Sequence, residues 1–212
     1  MRVAIMQPNF IPWMGYFKLI ENSDIFIFLD NVEYSKNSWH NRNRLLLSDG
    51  SIYTWTLPIR LSSSKQYFNE TFIEQKSLKL NKINNLLYQN FNKKSNFIIF
   101  DAIKDNILDT SLPLSVVNEN IIKIMLDYLG IRTRTVRASE LVSLGKRSER
   151  VLRLLKAVGA KTYVAVEGSK NYMTQDGFFD QFSGEVEFFK FSCENSCKII
   201  GEDQGNLSAL NY

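Results

Sequence analysis

Two short, uninterrupted apolar runs, Val3–Met6 and Ile25–Leu29, constrain this chain more than any other feature. A strand with one wet face alternates apolar and polar residues; a strand covered by helices on both faces does not. Between the runs lie Trp13, Phe17 and Ile20 at helical spacing, opened by Pro12 and broken at Ser23–Asp24. Gly15 in that helix admits close approach of another backbone. Pro8 removes a ladder donor and stops the first strand after Gln7, while Asp30 stands at the carboxyl end of the second. Strand, helix, strand with both strands buried predicts a parallel pair, and hence an α/β fold.

The remainder extends that frame. Arg44–Leu47 and the alternating run Ile52–Ile59 flank Ser48-Asp49-Gly50, where Asp-Gly signals an antiparallel hairpin. Thr71–Ile73 reads as a further strand. Helices are predicted over Leu78–Phe91 and over Leu114–Leu129, the latter closed by Gly130. After a weakly patterned strand from Ile131 to Arg137, Ser148 is placed to cap a helix over Glu149–Val158 that ends at Gly159. Thr162–Val166 is a second buried strand, followed by a short helix at Phe178–Phe182 and a strand at Val186–Phe191. The sum is a Rossmann-like, mostly parallel sheet with helices on both faces, plus an antiparallel hairpin. No repeat or Gly/Ser-rich linker divides it, so residues 1–191 read as a single α/β domain and 192–212 as a short C-terminal tail.

Composition narrows the function classes. With 44% hydrophobic residues and 15 Phe among 212 residues, the chain can bury a real core. A net charge of +4 suits an anionic small molecule such as a nucleotide sugar and permits nucleic-acid contact, although the cations are scattered. Two cysteines, Cys193 and Cys197, and one histidine, His40, make neither a disulfide framework nor a four-ligand zinc set, so no metal is expected. Without a signal-type apolar region or a run of about 18 apolar residues, the expectation is a cytoplasmic protein with no membrane insertion.

One pattern threads the N-terminal segment: Ala4-Ile5-Met6-Gln7-Pro8, then Pro12 with Gly15-Tyr16-Phe17, then Asp30, then Trp39 with Asn41-Arg42-Asn43-Arg44. It resembles the WbqC-like family, whose strand ends Asp-Asp-Val where this chain has Asp30-Asn31-Val32, so only the first carboxylate carries over. The likeness continues through Glu149–Val158, Gly159-Ala160, Thr162-Tyr163 and the loop Gly168–Tyr172. The family's C-terminal Leu-Ser and apolar helix look truncated, with Asn206-Leu207-Ser208 close to the end at Tyr212. The resemblance implies bacterial O-antigen or other surface-polysaccharide biosynthesis, and suggests transfer of an acyl or aminoacyl group, glycine for example, to the amine of a nucleotide-linked amino sugar. The order strand, Pro-x-x-Gly helix, strand also resembles the nucleotide-binding half of the nucleotidyltransferases. Their His-x-Gly-His is replaced here by Trp13-Met14-Gly15-Tyr16, which speaks against adenylate chemistry, so the cofactor stays open between ATP and an aminoacyl donor such as aminoacyl-tRNA.

Ligands of open α/β sheets collect beyond the carboxyl ends of the strands, where Gln7, Asp30 and Glu167-Gly168 are expected. Asp30 has two readings: a base or holder of the substrate amine, or a cap or partner of Arg42. Arg42 and Arg44 carry forked donors suited to a diphosphate, with Asn41 and Asn43 for hydroxyls, or else Arg44 simply faces solvent. Gln7 binds a ligand edge or satisfies loop backbone. Tyr16, Trp39 and Tyr172 join the substrate-binding set, Trp13 and Phe17 are expected in the core, and His40 is the second catalytic candidate. Lys146, Arg147 and Arg150 near a helix start either hold phosphate or are solvated. Alternative functions are a non-catalytic sugar-nucleotide-binding or scaffold protein, possible as an oligomer, and a tRNA or other nucleic-acid binder helped by Arg132, Arg134 and Arg137.

Overall fold

The computed structural model describes residues 1–63, 65–74, 85, 88–90, 97–141, 145–191 and 207–211. Its elements in chain order are β1 (Arg2–Met6), α1 (Met14–Glu21), β2 (Ile25–Phe28), β3 (Arg42–Leu46), β4 (Ile52–Thr56), β5 (Ile59–Arg60), β6 (Phe72–Ile73), α2 (Phe97–Leu108), α3 (Leu114–Tyr128), β7 (Arg134–Arg137), α4 (Ala138–Leu141), α5 (Arg147–Ala157), β8 (Thr162–Val166), α6 (Lys170–Gln175), α7 (Phe178–Gln181) and β9 (Glu185–Phe189). They group into two compact units: Met1–Gln7, Gly15–Asn31 and Ile131–Ser192 form unit 1, and Pro8–Met14, Val32–Gly130 and Cys193–Tyr212 form unit 2.

Unit 1 holds a five-stranded sheet in the order β7-β2-β1-β8-β9, and every adjacent pair is parallel. Counting this unit's strands along the chain, the order is 3-2-1-4-5, the Rossmann arrangement, in which the winding reverses between β1 and β8. The apolar runs are buried on both sides, as their lack of alternation requires. Val3, Ile5, Ile25, Ile27, Tyr163 and Ala165 face Val151, Leu154 and Leu155 of α5 and Met173 and Phe178 beyond it. On the other face, Tyr16 of α1 meets Phe26 edge-on at 5.4 Å, and Phe26 meets Phe28 at 5.2 Å. Each such phenyl, fully buried, contributes about 1.5–3 kcal/mol, so these few rings fix α1 against the sheet.

Several boundaries differ from expectation. α5 begins at Arg147 with Lys146 as an extended N-cap, so Ser148 lies inside the first turn and does not cap it. The Asp176 Oδ2 accepts weakly from the Ser148 amide at 3.4 Å in its place. Trp13 precedes α1 and is only partly buried, paired with Ser208 through a bridge rather than packed in the core, whereas Phe17 is fully buried. α2 and α6 carried no predicted helix. The helix predicted over Leu78–Phe91 falls mainly outside the described residues, as does most of the tail 192–212.

At the entry to β9, Gly184 lies where an added Cβ would press on the Lys161 carbonyl and on the Phe182 ring, 2.5 and 2.8 Å from its nearest ring atoms. That carbonyl accepts the Glu185 amide at 2.9 Å, tying β9 to the residue before β8. Gly184→Ala is expected to destabilise unit 1 by about 1–3 kcal/mol through overpacking. Thermal unfolding checks it: a midpoint within a degree of wild type would mean that the ring and carbonyl give way freely.

Unit 2 contains two small antiparallel ladders. β3 pairs with β4 from Arg42↔Thr56 to Leu46↔Ile52, and β5 pairs with β6. The hairpin matches the Asp-Gly signal, but β3 starts two residues earlier than predicted. Helices α2 and α3 pack together in this unit. Residues 207–211 lie along β3, with the Ser208 amide donating to the Arg44 carbonyl at 2.9 Å. The Asn211 side chain brackets Leu46 from both sides of its peptide.

Candidate functional site

In unit 1 the parallel register aligns every strand's carboxyl end on one edge of the sheet. Gln7 follows β1, Asp30 follows β2 by two residues, Ser139 follows β7 and Glu167-Gly168 follow β8. Gln7 and Glu167 therefore flank the point where the winding reverses, the place where flanking crossovers depart in opposite directions and leave a crevice. The predicted convergence of Gln7, Asp30 and Glu167-Gly168 on one sheet edge is what the topology produces.

The residues differ in how they are held. Asp30 is 5% exposed. Its Oδ1 accepts the Ser139 amide at 3.0 Å and its Oδ2 accepts the Ser139 hydroxyl at 2.6 Å. It caps the turn that leads from β7 into α4, the structural half of its two readings, yet a carboxylate with two accepted bonds keeps further acceptor capacity. Tyr16 is buried and donates to the Gln7 carbonyl at 3.0 Å, so its ring positions the end of β1. Asn31 is gripped by Arg150, whose Nη1 donates to the Asn31 carbonyl at 2.6 Å while Nε donates to the Gly145 carbonyl at 2.8 Å. Arg150 thereby joins the start of α5 to the end of β2, a role absent from its sequence pattern.

On the β8 side, Glu167 is exposed and pairs with Lys190 at 3.7 Å. A Cβ at Gly168 would meet nothing within 4 Å, so that position opens onto free space. Tyr172 hydrogen-bonds with Tyr163 and with Ser169 while the Arg147 guanidinium lies 5.9 Å from its ring centroid. Burial raises the Tyr172 hydroxyl pKa, and for the fully buried Tyr163 burial raises it further. Both phenols are neutral donors at physiological pH. Arg147 also pairs with Asp176 at 3.3 Å, so the α5 N-terminus already faces a carboxylate.

The other predicted residues belong to unit 2. Asn41 and Asn43 are buried, and their amide nitrogens are committed to backbone: Asn41 to the Leu57 carbonyl at 2.8 Å, Asn43 to those of Phe10 at 3.1 Å and Ile11 at 2.6 Å. Ile11 has φ 38°, rare for a β-branched residue, and Asn43 holds that bend. Asn118, on α3, does the same for Pro8 and His40, donating to their carbonyls at 2.9 and 2.8 Å. From sequence, Asn41 and Asn43 are expected on substrate hydroxyls, and nothing local signals this clamp, whose third member, Asn118, lies 78 residues from His40. His40 is 2% exposed and stacked on Phe68 at 4.3 Å and 17°. Desolvation lowers its pKa from 6.5 to about 4, so the imidazole is neutral near pH 7 and a poor proton acceptor there. Trp39 is 40% exposed with the Arg44 guanidinium 5.4 Å from its ring centroid, and Arg42 shares Arg44's face of β3.

The geometry defines a Rossmann-like α/β protein with polar residues along the carboxyl edge of the unit 1 sheet. The model of the WbqC-like protein family matches residues 7–198, and the chain belongs to that family. It is 31% identical over 193 residues, covering 90% of this chain and 82% of the relative, to the uncharacterised protein Rv1507c of Mycobacterium tuberculosis (strain ATCC 25618 / H37Rv). No solved structure matches. Among the described residues no helix is long and apolar enough to cross a membrane.

Proposed function

We propose that the protein acts in the biosynthesis of a bacterial surface polysaccharide such as O-antigen, transferring an acyl or aminoacyl group, glycine for example, to the amine of a nucleotide-linked amino sugar. The observation that carries this reading is the winding reversal between β1 and β8, with Gln7 and Glu167 at its two sides and Asp30 at the neighbouring strand end. A Rossmann-order sheet takes nucleotide-like ligands at that edge. The family's association with polysaccharide gene clusters supports the pathway.

In this reaction the sugar amine attacks the acyl carbonyl carbon, the amide C–N bond forms, and the bond from that carbon to its carrier oxygen breaks. The carrier is an adenylate or the 3′ end of a tRNA, and it leaves with the electron pair. The amine must lose a proton on the way, and Asp30 is the carboxylate at the sheet edge that takes it or holds the amine for attack. Ser139 fixes the rotamer of Asp30 through both oxygens, so the carboxylate is oriented before substrate arrives. The exposed Glu167 and the open turn at Gly168 are suited to sugar hydroxyls.

Incubation with a nucleotide-linked amino sugar, together with either glycine and ATP or glycyl-tRNA, is expected to yield a new amide by mass spectrometry. Wild-type protein that binds the sugar and forms no amide with any donor would remove the reading. Asp30→Asn is expected to lower turnover about a hundredfold or more. The fold should survive, because an asparagine oxygen can still accept the Ser139 amide. Full activity, or unfolding, would each deny Asp30 a chemical role.

A further inference from the structure

The outer face of the β3–β4 hairpin in unit 2 carries a second set of groups that the acyl-transfer reading does not use. Arg42 and Arg44 are two residues apart on β3, so their side chains share one face while Asn43 between them is turned inward. Opposite them on β4 stand Thr56 and Thr54, both exposed. Arg44 lies over the exposed indole of Trp39. Arg42 is close enough to Tyr34 for its charge to oppose the burial that raises the Tyr34 hydroxyl pKa. Lys36, between these two aromatic residues in sequence, is also exposed.

These cations lack acidic partners: among the described residues no carboxylate makes an ion pair with Lys36, Arg42 or Arg44. Asp49 at the hairpin tip is turned to Ser51, whose hydroxyl and amide it accepts at 2.6 and 2.9 Å. A guanidinium stacked on an indole keeps its in-plane N–H fork open, and that fork matches a phosphate. The face thus offers cations with no acidic partner among the described residues, next to an aromatic surface, the combination that recognises unpaired nucleotides.

We propose that this hairpin face binds single-stranded nucleic acid, with Lys36, Arg42 and Arg44 on backbone phosphates and a base stacked on Trp39. Two details favour an oligonucleotide over one diphosphate group. The arginines are about 6.8 Å apart along the strand, with Arg44 over the Trp39 ring and Arg42 within electrostatic reach of the Tyr34 hydroxyl, so they do not converge on adjoining phosphorus atoms. Successive phosphates of a strand advance about 3.4 Å along the axis when stacked and farther when unstacked, so a strand can span such a gap. A duplex would not offer the free base face that an exposed indole takes.

The test is fluorescence anisotropy with a labelled oligouridylate of about twelve nucleotides and a duplex of the same length, over about 50 to 300 mM salt. Wild-type protein is expected to prefer the single strand, with log affinity falling against log salt at a slope of about −2 for three phosphate contacts. R42Q/R44Q should weaken binding tenfold or more at the low-salt end and bring the slope to about −0.7. W39A should weaken binding roughly tenfold with the slope unchanged, and W39F should restore most of the loss. Because the arginines open β3, R42K/R44K serves as the charge-preserving variant and should keep the wild-type slope.

No salt-dependent binding by wild type, equal affinity for the duplex, or an unchanged slope in R42Q/R44Q would overturn the proposal. So would tight binding of pyrophosphate, abolished in R42Q/R44Q, by a protein that ignores the oligonucleotide. The inference stands apart from the acyl-transfer reading: amide formation without oligonucleotide binding removes only this one, and the reverse result removes only the other.

Discussion

Asn43→Ala is expected to lower the unfolding free energy by about 3–5 kcal/mol, the largest effect of any substitution in the Asn-Arg-Asn-Arg segment. Asn43 is 3% exposed and makes three backbone contacts: its Nδ2 donates to the Phe10 and Ile11 carbonyls, and its Oδ1 accepts the Arg44 amide at 2.7 Å. Truncation leaves two buried carbonyls and one part-buried amide without that partner, each nominally costing about 1–3 kcal/mol, with some recovered by relaxation. It also releases the positive-φ bend at Ile11. Urea unfolding measures the loss, and Arg44→Gln, at an exposed site, should shift stability by no more than about 0.5 kcal/mol. If the two variants proved equally stable, Asn43 would not be the clamp its geometry describes. Any activity lost in Asn43→Ala must then be judged against stability before Asn43 is assigned to substrate.

Acid is expected to destabilise the protein through His40 well before the bulk of the carboxylates titrate. The imidazole is buried against Phe68, and desolvation holds its folded pKa at about 4. In the unfolded chain the same group titrates at about 6.5, so as pH falls the unfolded state takes up the proton first. The His40 contribution is therefore fully present above pH 6.5 and is lost progressively as pH drops toward 4. Its magnitude is on the order of 3 kcal/mol, from about 1.4 kcal/mol for each unit of difference. Urea midpoints at pH 7.5, 5.5 and 4.5 would show the decline, and His40→Gln should flatten it across that window. A wild-type curve parallel to that of His40→Gln would mean that the imidazole is hydrated and titrates normally.

The contrast between Asp30 and Asn43 shows where reading the chain alone reaches its limit. Both stand in polar positions of one N-terminal motif, and both are polar groups just beyond, or within, short strands. The position of Asp30 beyond a buried parallel strand follows from a local pattern, because a five-residue, β-branched and aromatic apolar run bounded by turn residues has the length and composition of a doubly covered strand. Its partner does not: Ser139 lies 109 residues away, and only the register of β7 beside β2 brings them together. Arg150 is similar, since its grip on Asn31 crosses 119 residues. Ser148 failed as a cap for a related reason. Its helix-start pattern is local, but Asp176 already faces the α5 N-terminus, and α5 begins two residues earlier with Lys146 in the cap position.

Sequence by itself determined the α/β class, the parallel β1–α1–β2 unit, the Asp-Gly hairpin and the placement of Gln7, Asp30 and Glu167 at strand ends. All of these depend on periodicities and turn residues that act within about ten positions, and such short-range physics is written in consecutive residues. Tertiary structure alone decided the 3-2-1-4-5 order that puts the winding reversal between Gln7 and Glu167. It also decided which polar residues of the motif are inside: Asn41, Asn43 and His40 are buried in unit 2, while Arg42, Arg44 and Trp39 keep exposed surface. A buried polar group must find hydrogen-bond partners wherever the fold supplies them. Here those partners are carbonyls of Phe10, Ile11 and Leu57, set by chain crossings that no local pattern encodes.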